Sequence, residues 1–273
     1  TCALPIYLIV AFLTGSKNAL KGAGFFIGAV LLSLFEFRGA VTAMVLMLAL
    51  VWLMSLLLLR QELGVMKNQP KFSQIFSKSS AVNWLSFARF FLFSARDVWF
   101  VVALPVFLYE SLQWDFWQVG GYLASWIIIY GFIQAVAPKL TGRDQTPQAV
   151  KAQLVMFGGL LALIPAGIAI ALTRDFPIVY VVTFGLLLFA LLFATNSALH
   201  SYLIVRFARA DGASLDIGFY YMANAGGRLA GTIASGALYQ WTGLEACLWI
   251  SALLIASASI TALLVPGEDE GAA

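Results

Sequence analysis

The chain has 273 residues, of which 62% are hydrophobic and only 11% charged, with a formal net charge of +3. A soluble globular domain carries about 25% charged residues, so this composition excludes a water-soluble fold and points to a bilayer as the solvent. Two cysteines, Cys2 and Cys247, lie near opposite ends without any motif spacing, which excludes a disulfide framework or a cysteine metal site as a theme.

The opening hexapeptide, Thr-Cys-Ala-Leu-Pro-Ile, is also what ACG TGT GCT CTT CCG ATC encodes, a string common in sequencing-adapter DNA. Residues 1–6 are therefore expected to be a non-native scar, and the chain is expected to be part of a longer one. Crossing about 30 Å of hydrocarbon takes roughly 20 apolar residues in a helix. Apolar runs of that order fall at 8–34, 40–59, 82–109, 117–138, 150–172, 177–205, 217–239 and 246–265, which predicts an all-α integral membrane protein of about eight spans. The connections are short, and the longest, 60–81, carries Arg60, Lys67, Lys71 and Lys78. With Lys139, Arg143, Lys151, Arg206 and Arg209 they make nine basic residues on one side, against Arg38 and Arg174 on the other. The positive-inside rule then places segment 60–81 in the cytoplasm.

The remaining basic residues lie within spans: Lys17 and Lys21 in the first, Arg89 and Arg96 in the third, Arg228 in the seventh, with only Asp97 opposing them. Each costs roughly 2.5 to 3.5 kcal/mol at a helix centre, so a compensating polar cavity is expected. Helical residues advance about 100° each. Lys17 and Lys21 therefore share a face, as do Arg89 and Arg96, Asn224 and Arg228, and Asn196 and His200. Lys21, Arg96 and Arg228 lie near mid-depth, which suggests a ring of cations for a polyanionic solute. The plainer alternatives are that Lys17 snorkels to the surface, that Arg228 only bridges Asp97, and that His200 is an interior histidine rather than a proton carrier. Asp97, His200 and Asn196 are the candidates for coupling or charge balance.

The second, fifth and eighth spans hold no charge away from their ends and are expected at the periphery. Small residues at every fourth position, Gly24 with Gly28 and Gly227 with Gly231 and Ser235, predict close helix approach. Pro105 and Pro165 predict kinks. No His, Asp and Glu constellation serves acid-base chemistry, which disfavours a lipid-phosphate enzyme; no cofactor is expected. The net charge is accounted for by topology and the cavity, so nucleic acid is not an expected partner.

The stretches LTGSKNALKG at 13–22, PKFSQIFSKSSAVNWL and ARFFLFSARDVWFVVALPVFLYE within 70–110, and GFYYMANAGGRLAGTIASG at 218–236 resemble organoarsenical efflux permeases of the ArsJ type, in the major facilitator superfamily. The resemblance runs from about residue 13 to residue 264. It implies that these spans are the last eight of a twelve-helix transporter. Residues 7–59 would then be the last two helices of the N-terminal half, 60–81 the inter-half linker, 82–265 the C-terminal six-helix half and 266–273 a tail. It implies export of 1-arseno-3-phosphoglycerate across the bacterial inner membrane, by alternating access, with a glyceraldehyde-3-phosphate dehydrogenase as the partner supplying substrate. On charge and position, Lys17, Lys21, Arg89, Arg96, Asn224 and Arg228 are the expected substrate-binding residues. An organophosphate or general organic-anion exporter of the same superfamily is the alternative, since its cavity would carry the same cations.

Overall fold

A computed structural model of the chain describes residues 3–58, 79–141, 146–174, 176–208 and 212–266, with side chains from residue 8 onward. The first two residues of the expected 1–6 scar, nearly all of the expected 60–81 linker with its basic side chains, Arg143, Arg209 and the residues beyond 266 lie outside the described residues. All regular structure among the described residues is helical: α1 (Ala3–Leu58), α2 (Ser80–Phe100), α3 (Ala103–Glu110), α4 (Phe116–Leu140), α5 (Pro147–Leu172), α6 (Ile178–Phe207) and α7 (Ala213–Leu263). Six helices are long and apolar enough to cross a membrane, α2 with α3 counting as the single stretch Ser80–Glu110. The chain is a multi-pass membrane protein.

Six is fewer than the eight spans expected, because 8–34 and 40–59 run together in α1, and 217–239 and 246–265 run together in α7. A straight helix of 51 residues would be about 75 Å long, far beyond the hydrocarbon thickness, and both long helices are in fact broken. Glu36 has φ 54° and ψ −175° within α1, and Gly243 has φ 78° and ψ −165° within α7. At Gly243 the chain folds back on itself. Cys247 Sγ lies 3.9 Å from the Ser235 carbonyl oxygen, whereas residues 12 apart on one straight helix would be separated by about 18 Å. Only glycine adopts that positive φ without a Cβ clash.

Local chemistry sets the helix starts. Ser79 accepts the Val82 N–H, Thr146 accepts the Ala149 N–H ahead of Pro147, and Asp115 with Gln118 forms a reciprocal capping box on α4. Pro105 has the effect expected of it. It cannot donate to the Val101 carbonyl, α2 ends at Phe100, and the Ala103 N–H, in the first turn of α3, donates to Ser235 Oγ at 3.0 Å. Pro165, by contrast, is accommodated inside continuous α5.

Two close helix contacts frame the interior. On α1 the buried stripe Ala11, Gly15, Gly22 and Ala29 lies antiparallel to α4, with Gly15 against Gly131, Gly22 against Ala124 and Ile128, and Ala29 against Gly120. On α7, Gly227 and Gly231 rest on the Phe90 and Ser94 backbone of α2, and Ser94 Oγ donates to the Gly227 carbonyl at 2.7 Å. The expectation for Gly24 and Gly28 is corrected, since no neighbour lies within 4 Å of a Cβ built on either. They point away from α4 because the approach is made one helical face over. Almost every side chain of 41–58 is exposed, as suits a lipid-facing segment.

Candidate functional site

One face of α2 reads Arg89, Phe93, Arg96 and Phe100, residues four, three and four apart, so all four project into the same space. That space is a cavity of about 360 Å³ walled by α1, α2, α3, α4 and the first part of α7. Lys17, Lys21, Arg89, Arg96, Asn224 and Arg228, the six expected binding residues, all line it. The segments 41–58, α5 and the second part of α7, which correspond to the uncharged second, fifth and eighth spans, contribute nothing to its wall.

The cations fall into two groups, separated by the two helical turns between Arg89 and Arg96, about 10 Å along α2. At one end, Asp97 is fully buried and shared between two arginines. Arg96 reaches its Oδ1 through Nη2 at 2.5 Å and Nε at 2.6 Å, and Arg228 Nε donates to Oδ2 at 2.9 Å. The Arg228 side chain is 47% exposed while paired in this way, so its outer edge remains open to the cavity. Lys21 lies within electrostatic reach of Arg228, Lys17 and Arg96 as well as Asp97. The plainer sequence alternative for Arg228 is therefore part of the picture: it does bridge to Asp97, and it does so from the cavity wall.

At the other end, Arg89 is 3% exposed. Its Nη1 donates to Ser197 Oγ at 3.0 Å and to the Ser197 carbonyl at 3.2 Å. Its guanidinium carbon stands 4.1 Å from the centroid of the Phe93 ring, and that of Arg96 stands 4.9 Å from the same ring. One aromatic ring thus supports both arginines through its π face, an attraction worth about 0.5 to 2 kcal/mol per pair. Lys17 Nζ is 6.0 Å from the Tyr221 ring centroid at the same wall.

Arg89 is also the end of a polar chain that crosses four helices. Asn18 Nδ2 of α1 donates to Gln134 Oε1 of α4 at 2.6 Å, and Gln134 Nε2 donates to Ser197 Oγ of α6 at 3.3 Å. The Tyr130 hydroxyl is 3.3 Å from that same Ser197 oxygen. Sequence reading passes over Asn18, Tyr130, Gln134, Ser197 and Tyr221. Asn18 and Gln134 carried a usable signal, as amides inside otherwise apolar spans. Ser197 carried none, because serines in such helices commonly bond back to their own backbone.

Two expected residues stand elsewhere. Asn196 donates from Nδ2 to the Leu154 carbonyl at 2.8 Å, tying α6 to α5. His200, 1% exposed, lies in the interior, and its Nδ1 has no protein partner. Neither lines the cavity. Their four-residue spacing does place them on one face of α6, but the α6 residue that reaches the cavity cations is Ser197. Among the described residues, no group of three or more His, Cys, Asp or Glu side chains is placed to hold a metal ion. What the arrangement can do is hold a multiply charged anion at two points through charge-assisted hydrogen bonds, each worth roughly 1.5 to 3 kcal/mol. No protein-family model matches the chain, and no curated protein does.

Proposed function

We propose that this chain is part of a membrane transporter for an organic anion carrying phosphate-like groups, and that 1-arseno-3-phosphoglycerate, exported to give arsenate resistance, is its substrate. The observation that carries the reading is the charge imbalance of the cavity: five cations line it, and the one acid paired with any of them among the described residues is Asp97. Two of the five, Arg89 and Arg96, are buried, and buried positive charge is costly unless a counter-anion neutralises it; the other three, Lys17, Lys21 and Arg228, face the open side of the same cavity. Cationic groups about two turns apart on α2 suit an elongated anion with an acidic group at each end. Asn224 Oδ1, buried and without a protein partner, offers an acceptor to a ligand hydroxyl. Oxyanions are hard ligands, and a wall of Arg and Lys without thiols suits them better than it suits trivalent arsenic.

Reading the breaks at Glu36 and Gly243 as turns between spans makes eight crossings, in keeping with the last eight helices of a twelve-helix major facilitator. The membrane would be the bacterial inner membrane with segment 60–81 cytoplasmic, and the protein would not be an enzyme. The test is arsenate tolerance and arsenic retention in an arsenate-sensitive bacterium. It would express the chain joined to the four further spans the resemblance implies, with and without a glyceraldehyde-3-phosphate dehydrogenase. Tolerance that needs both proteins, with lower retention, supports the proposal. Transport of phosphate esters that arsenate chemistry leaves unaffected would move the assignment to an organophosphate exporter.

A further inference from the structure

A guanidinium carries five N–H donors on a rigid planar fork, so the donors that a carboxylate takes decide which ones a ligand can have. Asp97 divides two arginines unequally. Arg96 gives it a whole edge, Nε at 2.6 Å and Nη2 at 2.5 Å, both on Oδ1. The Arg96 guanidinium carbon also stands 4.9, 5.6 and 5.9 Å from the ring centroids of Phe93, Phe193 and Phe100, and its side chain is 9% exposed. Arg228 gives only Nε, at 2.9 Å from Oδ2. Among the described residues its Nη1 and Nη2 have no hydrogen-bond partner, and its side chain opens onto the cavity. With Nε taken, the end of the guanidinium formed by Nη1 and Nη2 is the edge left for a ligand. The root of the side chain is fixed as well, because Gly227 and Gly231, on either side of Arg228 in sequence, rest on the α2 backbone at Phe90 and Ser94. Arg96 and Asp97 cancel in charge, so Arg228 supplies the net positive charge of the three, with Lys21 in electrostatic reach.

We infer that Arg228 is the residue that selects the anion, through a two-pronged bond from Nη1 and Nη2 to two oxygens of one acidic group, and that Asp97 and Arg96 are positioning residues that hold its guanidinium in that attitude. The inference rests on the proposed anion-transport reading; it separates the roles of two expected binding residues and names the ligand feature that one of them reads. A free guanidinium end matches two oxygens on one phosphorus, arsenic or carbon atom, and this geometry adds specificity to the charge. A monatomic anion such as chloride answers the charge alone. The cavity therefore prefers a phosphate or arsenate group to chloride by shape, and that preference resides in Arg228.

The test is calorimetry of inorganic phosphate binding to the chain in lipid nanodiscs at several chloride concentrations, which gives the affinity of both anions. Arg228→Lys keeps the charge and removes the fork. It should weaken phosphate binding about 10- to 100-fold, as expected for one lost charge-assisted hydrogen bond, while chloride binding falls less, so that the phosphate-to-chloride ratio drops. Arg96→Lys can still pair with Asp97 and should lower the ratio by a smaller factor. Asp97→Asn removes an acid and so strengthens the attraction for every anion, yet it should lower the same ratio, because Arg228 loses the group that holds it. A preserved ratio in Arg228→Lys, or a larger drop in Arg96→Lys, would overturn the assignment of Arg228, and a preserved ratio in Asp97→Asn would overturn the positioning role. Should Asp97→Asn fail to fold, Asp97→Glu, which keeps the charge and shifts it by one methylene, tests that role by the same ratio. Loss of phosphate binding in Arg89→Gln but not in Arg228→Lys would leave the anion-cavity reading standing and move recognition to the other end of the cavity. Absence of phosphate binding in the unmodified chain would overturn both.

Discussion

Asp97 has no exposure to solvent and serves two arginines whose surroundings differ: Arg96 is itself buried, while Arg228 is half open to the cavity. Removing one partner of a buried pair costs about 3 to 5 kcal/mol, mostly through the charge left uncompensated. Asp97→Asn should therefore destabilise the protein by an amount on the order of 3 kcal/mol, because Arg96 loses its ion pair in a low-dielectric site. Arg228→Gln should cost clearly less, since Asp97 keeps Arg96 and an exposed pair is worth little. Thermal unfolding of the two variants in detergent gives the order, and equal losses would contradict it. For transport the ranking reverses in kind. Arg228→Glu or Arg96→Glu, if expressed normally in the membrane, should abolish transport by placing a second acid where the anion would sit, and unchanged transport would remove that residue from the site. The pairing of Lys17 with Lys21 and of Arg89 with Arg96 was legible from helical spacing alone. The hub at Ser197 was not, because its importance depends on three side chains from two other helices converging on it.

The elements meet where side chains are absent or small. A Cβ on Gly131 would lie 2.6 Å from both the Ala19 nitrogen and the Gly15 carbonyl oxygen, so α1 and α4 touch through backbone. Gly131→Leu should force the two helices apart and cost about 1 to 3 kcal/mol. It should also break the Asn18 to Gln134 bond that depends on their approach. Gly24→Ala faces no neighbour and should be neutral or stabilising by up to about 1 kcal/mol, from helix propensity alone. A comparison of melting temperatures separates the two, and similar behaviour of both variants would mean that the α1 to α4 contact is not as close as described. Gly243→Ala meets no steric neighbour either, yet its φ of 78° should make it cost about 1 to 2 kcal/mol. Sequence spacing picked out the small-residue stripe of α7 correctly and chose the wrong one on α1. Every fourth residue being small is a local property, whereas the face that meets α4 is set by the partner helix.

For the molecule as a whole, apolar side chains face outward along 41–58, whereas Arg89, Arg96 and Asp97 are buried in the interior, the reverse of a soluble protein. The basic bias predicts orientation. A cysteine replacing Lys71 should react with a membrane-impermeant maleimide in inside-out vesicles and stay unlabelled in intact cells. Cys247 is buried, and replacing Cys2 with serine removes the other thiol. Labelling from outside would invert the topology and with it the assignment of the cytoplasmic side.

Membrane residence, the approximate positions of the apolar runs and the excess of intramembrane cations were determined by the amino-acid sequence alone. Each follows from the hydropathy of a segment some 20 residues long, which partitions into lipid largely on its own account. Only the tertiary structure decided that Lys17, Lys21, Arg89, Arg96 and Arg228 share one cavity, and that Asp97 belongs to two arginines at once. It likewise decided that Asn196 and His200 stand away from that cavity, and that the chain reverses at Gly243. Those outcomes depend on how each helix is rotated about its own axis and which helix it meets. Packing between residues more than 100 positions apart settles both, and no local pattern encodes it.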